Sequence, residues 1–436
     1  MGYTRNCDIA SQSRDFVEGE SMACITEFRR PYEDFMMRQR IAEISNPSPD
    51  RLAEITAQYE VEVQETLARA LAECASPIGV FSKMRGMFPS EVILRERGRI
   101  LRSERSSAVR PPKYHPELHA LDYEWYFTNT TARSLSHEFA SESGLTICLG
   151  APRVAAAAIR ASRRVVSIDK NPCVLTRFPV LNKSEEVHIM DATDAGRIGM
   201  QADVVVFDSP WYLPDTIAWL LSASKLIKRG GSIVFALYPP LVRATAKVER
   251  ELVLEIASSM GAVEIQEDGL VYETPLFEHE ALEGSGLRGL NEWRRADLVR
   301  VAMGRPMADT DLGLLRRPMI DGTWRSFVIG DQVVKVRSRS LELNSHRQLN
   351  GLLRPLGDSF LLESVSVGVP QRKLVDVWTS RNRVAASSDT RLLSLILRRL
   401  ARGESLRQAV RRYVSEIPTE FEHQMHDLLA LEAQCV

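Results

Sequence analysis

The chain has 436 residues, enough for about two to four domains. Its hydrophobic fraction of 44% and charged fraction of 26% exclude a disordered, collagen-like or coiled-coil chain. Lys and Arg number 56 against 57 Asp and Glu, which excludes a uniformly basic nucleic-acid coat but not a local basic patch.

Residues 1–29 are polar and aperiodic and read as a flexible N-terminus without an apolar leader. Residues 30–102 read as a helical domain. Asn46-Pro-Ser-Pro-Asp50 is a breaker cluster and helix start, after which Leu52, Ile55, Tyr59, Val63, Leu67, Ala70 and Leu71 recur at three- and four-residue steps. Phe88-Pro-Ser-Glu91 marks a further helix start. Residues 103–117, with Ser106-Ser107 and Pro111-Pro112, read as a linker.

From 118 to 304 the pattern changes to short apolar runs separated by helix-compatible stretches. The runs are 145–149, 164–168, 186–190, 203–207, 232–237 and 297–302, and the intervening helices fall at 154–162, 215–227 and 241–260. Runs of this length, apolar on both faces, are what a parallel sheet covered by helices requires. The expectation is an α/β chain with a Rossmann-like, doubly wound core.

Residues 305–320 read as a second linker and 321–436 as a small α+β domain. Thr323–Ile329 and Gln332–Val336 flank the turn Gly330-Asp331, a hairpin signal. Further strands are expected at 360–367 and 373–378, and helices at 391–402 and 406–414. Between Asn291 and Arg412 there are 23 Lys and Arg against 12 Asp and Glu, a local net charge of +11. Arg381, Arg383, Arg398 and Arg399 are the candidates there for contact with DNA or RNA phosphate, or with an acidic protein.

The six cysteines are scattered without a C-x-x-C pair, which points away from a disulfide framework and from a zinc site; no metal is expected. No apolar run approaches the length of a membrane span. The expected setting is reducing and cytoplasmic.

Ligands of an open parallel sheet bind beyond the carboxyl ends of its strands. Those ends carry Gly150, Asp169, Asp191 and Asp208. A glycine after the first strand lets a ligand approach the backbone. An acid ending the second can accept both ribose hydroxyls, and a later acid can receive the adenine amine. This order suits an adenosine-bearing cofactor.

The fourth strand end, Asp208-Ser209-Pro210-Trp211-Tyr212, resembles the D/N/S-P-P-Y/F/W motif of class I S-adenosylmethionine-dependent methyltransferases that modify planar amino nitrogens, the adenine-N6 type. The resemblance implies that Asp208 and a following carbonyl hold the target amine. It makes Pro210 stiffen the turn, with Trp211 and Tyr212 on the target side. Ser209 stands where the family usually has proline. Trp125-Tyr-Phe-Thr-Asn-Thr130 resembles the family's F-x-T-P element, which implies that Phe127 and Thr128 line the cofactor; Asn129 replaces the proline. Of the family's glycine-rich turn only Gly150 remains. The implied activity is methyl transfer from S-adenosyl-L-methionine to an amino nitrogen, foremost of a nucleic-acid base. Protein lysine methylation and aminopropyl transfer to a polyamine are the alternatives, the latter suggested by Glu273, Glu278, Glu280 and Glu283. A catalytically inactive scaffold of the same fold is a further alternative.

Overall fold

The first helical turns show how the N-terminal part is tied to the rest. In the computed structural model, residues 36–45 form α1, and Pro49–Glu73 form α2, with Pro49 in its first turn and the Ser48 hydroxyl accepting from the Arg51 N–H at 3.2 Å. Pro77–Met84 form α3. The apolar stripe of α2 is used only in its second half: Val63, Leu67 and Ala70 are buried, whereas Leu52 is 43% exposed. Those buried residues pack with Val80 and Met84 against Leu241, Leu282, Leu290 and Trp293 of the following α/β unit. Ile41 of α1 enters the core of the large sheet, beside an ion pair of Arg40 with Glu255 at 2.7 Å.

The structure describes residues 36–73, 77–84, 86–87, 118–122, 125–140, 144–183, 186–284, 290–304, 323–338, 349–357, 359–362, 365 and 370–429. The expected flexible start, the helix start at Phe88 and both linkers lie outside the described residues.

The α/β unit opens with α4 (Asn129–Phe139), whose N-cap Thr128 accepts from the Thr131 N–H. Then follow β1 (Leu145–Leu149), α5 (Pro152–Arg160), β2 (Arg164–Asp169), α6 (Cys173–Arg177), β3 (Val187–Ile189), β4 (Ala202–Phe207) and α7 (Leu213–Leu226). The unit ends with β5 (Ile227–Leu237), α8 (Ala246–Met260), β6 (Gly261–Val271), α9 (Leu276–Gly284) and β7 (Arg295–Met303). The seven strands order as β3-β2-β1-β4-β5-β7-β6, parallel except for β7, which runs antiparallel to both β5 and β6. Every residue of β1 is buried, as a strand covered on both faces must be. Ile147, Val205 and Ile233 face one hydrophobic cluster, while Cys148, Val206 and Val234 face the other. The Rossmann-like core expected from the apolar runs is present. Several features differ from expectation: β6 is an additional eleven-residue strand, β5 begins at Ile227 rather than 232, α4, α6 and α9 are additional helices, and the helix expected from 241 begins only at Ala246.

A second sheet combines β8 (Thr323–Ile329), β9 (Gln332–Ser338), β10 (Leu353–Arg354), β11 (Val377–Thr379) and β12 (Val384–Ser387) in the order β10-β12-β11-β9-β8. Its described pairings are antiparallel. Of the strand expected at 360–367, the described residues form only the bridge Leu361 to Arg383. Residues 370–374 are a 3-10 turn rather than the start of a strand. The helices α10 (Thr390–Leu400), α11 (Leu406–Arg411) and α12 (Thr419–Leu429) pack with Val334, Val336 and Val377 on one face. Trp378 and Val384 point the other way, into a cluster with Ala120, Leu121 and Phe277. The side chains that meet the α/β unit are therefore those of the sheet face opposite the helices. No helix among the described residues is long and apolar enough to cross a membrane.

Candidate functional site

Because β3, β2, β1 and β4 are parallel neighbours, their carboxyl ends bring Asp191, Asp169, Gly150 and Asp208 to one edge of the sheet. Backbone hydrogen bonds hold these ends in register: Gly150 N–H to Ile168 O at 2.8 Å, Asp208 N–H to Leu149 O at 3.2 Å, and Met190 N–H to Asp169 O at 3.0 Å. Gly150 has φ +57°, and a Cβ there would lie 2.4 Å from Cη2 of Trp219 and 3.2 Å from Asp208 O. Only glycine allows α7 and the ends of β1 and β4 to approach this closely.

Burial pushes the Asp169 carboxyl up to about 6, against the lowering effects of the Asn171 N–H donated to it and of Lys170; nearby Asp122 raises it further. Asp191 caps the short helical turn at Ala192–Ile198, accepting from the Thr193 N–H at 2.9 Å and the Thr193 hydroxyl at 2.6 Å. Asp208 is half-buried. Burial pushes it up to about 8, offset in part by the Tyr272 hydroxyl, which donates to Oδ1 at 2.8 Å.

The loop after Asp208 is fixed from behind. The Ser209 hydroxyl is buried against the Thr216 hydroxyl at 3.2 Å. Pro210 O accepts the Tyr212 N–H at 2.7 Å, and Trp211 O accepts from Arg243 Nη1 at 2.5 Å. Arg243 is itself ion-paired to Glu249 and lies over the rings of Tyr238 and Tyr212. The Ser209 carbonyl accepts a hydrogen bond from no described residue. Trp211 is half-buried, packs on both hydrophobic clusters of the sheet, and meets Tyr272 edge-on at 5.5 Å.

The segment 125–128 lies antiparallel beside the end of β6. Phe127 bridges Tyr272, the Thr128 N–H reaches Val271 O at 2.8 Å, and the Glu273 N–H reaches Tyr126 O at 2.9 Å. Arg153, in the first turn of α5, donates to Phe127 O at 2.8 Å and pairs with Glu273. Phe127 and Thr128 are thus brought to the same edge as Gly150, but the Thr128 hydroxyl is committed to its helix cap. On the Trp211 side, the Arg294 guanidinium lies 4.0 Å from the Trp125 ring centre, 4.9 Å from that of Trp293 and 5.8 Å from that of Trp211. It is paired with the fully buried Glu278 at 3.2 Å. Two of the acids that suggested a polyamine pocket, Glu273 and Glu278, therefore face arginines; the Glu283 side chain lies outside the described residues.

The second sheet reaches this edge through residues 118–122. The His119 Nδ1 accepts the Leu121 N–H at 3.1 Å, so Nε2 carries the proton and donates to Trp378 O at 2.8 Å. Burial, with the Lys335 charge, pulls His119 down to about 4. Lys335 of β9 pairs with Asp122, the carboxylate that acts on Asp169. Among the four arginines expected to meet an acidic partner, Arg381 pairs with Asp331, Arg383 donates to Asp427 O at 2.7 Å, and Arg399 pairs with Glu404; Arg398 is exposed. Arg398 and Arg399 lie on α10, across the second sheet from the strand ends.

Tyr272, Arg243, Arg294 and Asp122 were not indicated by any sequence motif. The one signal available was the Trp293-Arg294 pair ahead of β7, an aromatic and a planar cation side by side.

No family model matches the chain, and no curated protein matches it. Among solved structures it is similar to the branched-chain polyamine synthase from Thermus thermophilus in complex with N4-aminopropylspermidine and 5'-methylthioadenosine. The identity is 14% over 61% of this chain and 97% of that one, with a TM-score of 0.45. It is also similar to a T. thermophilus 16S rRNA methyltransferase in complex with AdoMet and guanosine, at 11% identity over 49% of this chain and 47% of that one, TM-score 0.26. Spermidine synthase from Thermotoga maritima is similar at 9% identity over 41% and 60%, TM-score 0.29.

Proposed function

We propose that this protein transfers a methyl group from S-adenosyl-L-methionine to an exocyclic amino nitrogen, foremost that of a nucleic-acid base. The observation that carries the reading is the acceptor pair at the end of β4. Asp208 Oδ1 is fixed by Tyr272, and the next carbonyl, Ser209 O, takes no hydrogen bond from a described residue, whereas those of Pro210 and Trp211 are both engaged. A planar amine has two N–H bonds to give, and Trp211 stands three residues further on as a surface for stacking.

The residues present fit the cofactor. Asp169 would hold its ribose and Asp191 the adenine side, with Phe127 along the same edge; the Cα face of Gly150 is taken up by Trp219 rather than left open to a ligand. When bound, it supplies an activated methyl group on a sulfonium. The chain's own part is positioning: Asp208 and Ser209 O orient the nitrogen, Tyr272 keeps the carboxyl from turning, and Arg243 holds the loop. The pairing of Glu273 and Glu278 with Arg153 and Arg294 supports a planar acceptor over a polycationic amine, because the carboxylates that would receive ammonium groups are already neutralised.

The test is methyl transfer from labelled cofactor to unmodified RNA and DNA. Asp208→Ala should lower turnover by about a hundredfold, the scale of losing one aligned contact, with cofactor affinity little changed. Unchanged transfer in that variant overturns the assignment.

A further inference from the structure

Around the second sheet, several arginines are held by partners within the fold: Arg381 by Asp331, Arg383 by Asp427 O, Arg399 by Glu404 and Arg407 by Glu422. On the outer side of α10 and α11 the pattern is different. Arg391, Arg398, Arg402, Arg411 and Arg412 are all exposed, and their side chains make no hydrogen bond or ion pair with any described residue. Helical spacing sets this arrangement. Leu392, Leu393, Ile396, Leu397 and Leu400 of α10 turn into the core together with Leu406, Ala409 and Val410 of α11. Positions 391, 398 and 402 lie seven and four residues apart and so share the opposite side, about 10 Å and 6 Å apart along the axis. The Arg402 N–H, donated to Arg399 O at 2.9 Å, carries the last turn on past Leu400. Gly403, at φ +85°, then reverses the chain into α11, which ends at Arg411 and Arg412.

Acids do little to offset this charge. Residues 389–416 hold seven arginines, no lysine and three acids. Of those acids, Asp389 caps α10 and Glu404 holds Arg399. The guanidinium fork matches phosphate oxygens in pairs, which an ammonium cannot do. No aromatic side chain stands among the exposed positions of α10 and α11, so single-stranded bases find nothing to stack on. Gln408 is turned back on the Ser405 N–H as part of the α11 cap, which takes up its amide oxygen. A helix of about 10–12 Å diameter fits the B-form major groove, about 12 Å wide, but not the narrow groove of an RNA duplex.

We propose that the outer face of α10 and α11 docks on duplex DNA through its phosphates, without regard to base sequence. This face lies across the second sheet from the strand ends. It anchors the chain without occupying the crevice, and it does not depend on the methyl-transfer reading.

Fluorescence anisotropy on the full chain, with a short labelled DNA duplex, tests this. With four to five phosphates engaged, affinity should fall roughly 150- to 500-fold between 50 and 200 mM salt, and a duplex of scrambled sequence should bind alike. Arg398→Gln with Arg402→Gln should reduce the slope of log affinity against log salt by about 1.8. Arg160→Gln with Arg229→Gln removes the same charge from exposed positions of the α/β unit and should leave the slope unchanged. Melting temperature should stay at the wild-type value in both double variants, which separates lost docking from lost folding. No binding at 50 mM salt, an unchanged slope in the first variant, an equal fall in the second, or tighter binding of a single strand or an RNA duplex overturns the proposal. Calorimetry with S-adenosyl-L-methionine should give the same affinity in wild type and both variants. No heat there would defeat the cofactor reading and leave the docking surface standing.

Discussion

The Lys335 ammonium lies against the Asp122 carboxylate, joining the second sheet to the segment beside Asp169 at the end of β2. Both partners are largely enclosed, with side chains 12% and 24% exposed. Lys335→Met leaves Asp122 without its cation and should cost about 1–3 kcal/mol of stability. Asp169 would then hold its proton more tightly, since Asp122 already raises it. Cofactor affinity should fall several-fold at pH 6 and hardly at all at pH 8, where Asp169 is ionised in either protein. A uniform loss at both pH values would show that the pair matters only for docking the second sheet.

Gly150→Ala tests the close approach of α7 to β1. The left-handed backbone costs a β-carbon roughly 1–2 kcal/mol, and the 2.4 Å contact with Trp219 adds to that. Thermal melting should drop by several degrees. Adding Trp219→Leu should recover the steric part but not the backbone part, so the double variant should melt between the two. A melting temperature equal to wild type in Gly150→Ala would contradict the geometry.

Asp208→Asn should separate stability from activity. A carboxyl whose pKa is raised by folding contributes stability that is complete below its unfolded pKa of about 4 and is lost as pH rises through about 8. Asparagine has no proton to lose. Without ligand, the variant should match wild type near pH 4, then melt at progressively higher temperature than wild type up to pH 8, with the gap constant beyond. Melting curves across this range decide it. Methyl transfer should meanwhile fall by about a hundredfold.

His119 works in the opposite sense. Its pKa is lowered on folding to about 4, so its contribution is present above the unfolded value of about 6.5 and is lost as pH falls toward 4. His119→Gln retains a donor for Trp378 O without the titration. The fall in melting temperature between pH 6.5 and pH 4 should be shallower in this variant, and an unchanged slope would place the acid sensitivity elsewhere.

The strand ends were legible in the sequence because β1, β2 and β4 are short, largely apolar runs closed by Gly150, Asp169 and Asp208, and burial on both faces leaves little else possible. What was not legible depends on pairing between distant segments. Gly261–Val271 carries Glu264, Gln266, Glu267 and Asp268, a polar composition that hides a strand at the border of the sheet. Missing it also hid Tyr272, which follows directly and fixes Asp208. In the second sheet, Leu353–Arg354 and Val384–Ser387 are too short or too small in side chain to register as strands, and only their partners hold them extended. Arg381 and Arg399 read as surface cations because the acids that take them, Asp331 and Glu404, become neighbours only through the turns that fold them together.

The outermost strand of the large sheet has a consequence for how these molecules behave in a crowd. An open sheet ends in unpaired backbone groups that invite another chain to zip on. Here Glu264, Glu267 and the exposed Ile265 lie along that strand, and a bulge between Gln266 and Leu270 puts Asp268 at φ +54°. At the opposite margin, β3 has only three residues. One border is charged and bent and the other is too short, so the open sheet can offer its crevice to ligands without offering its borders to polymer growth.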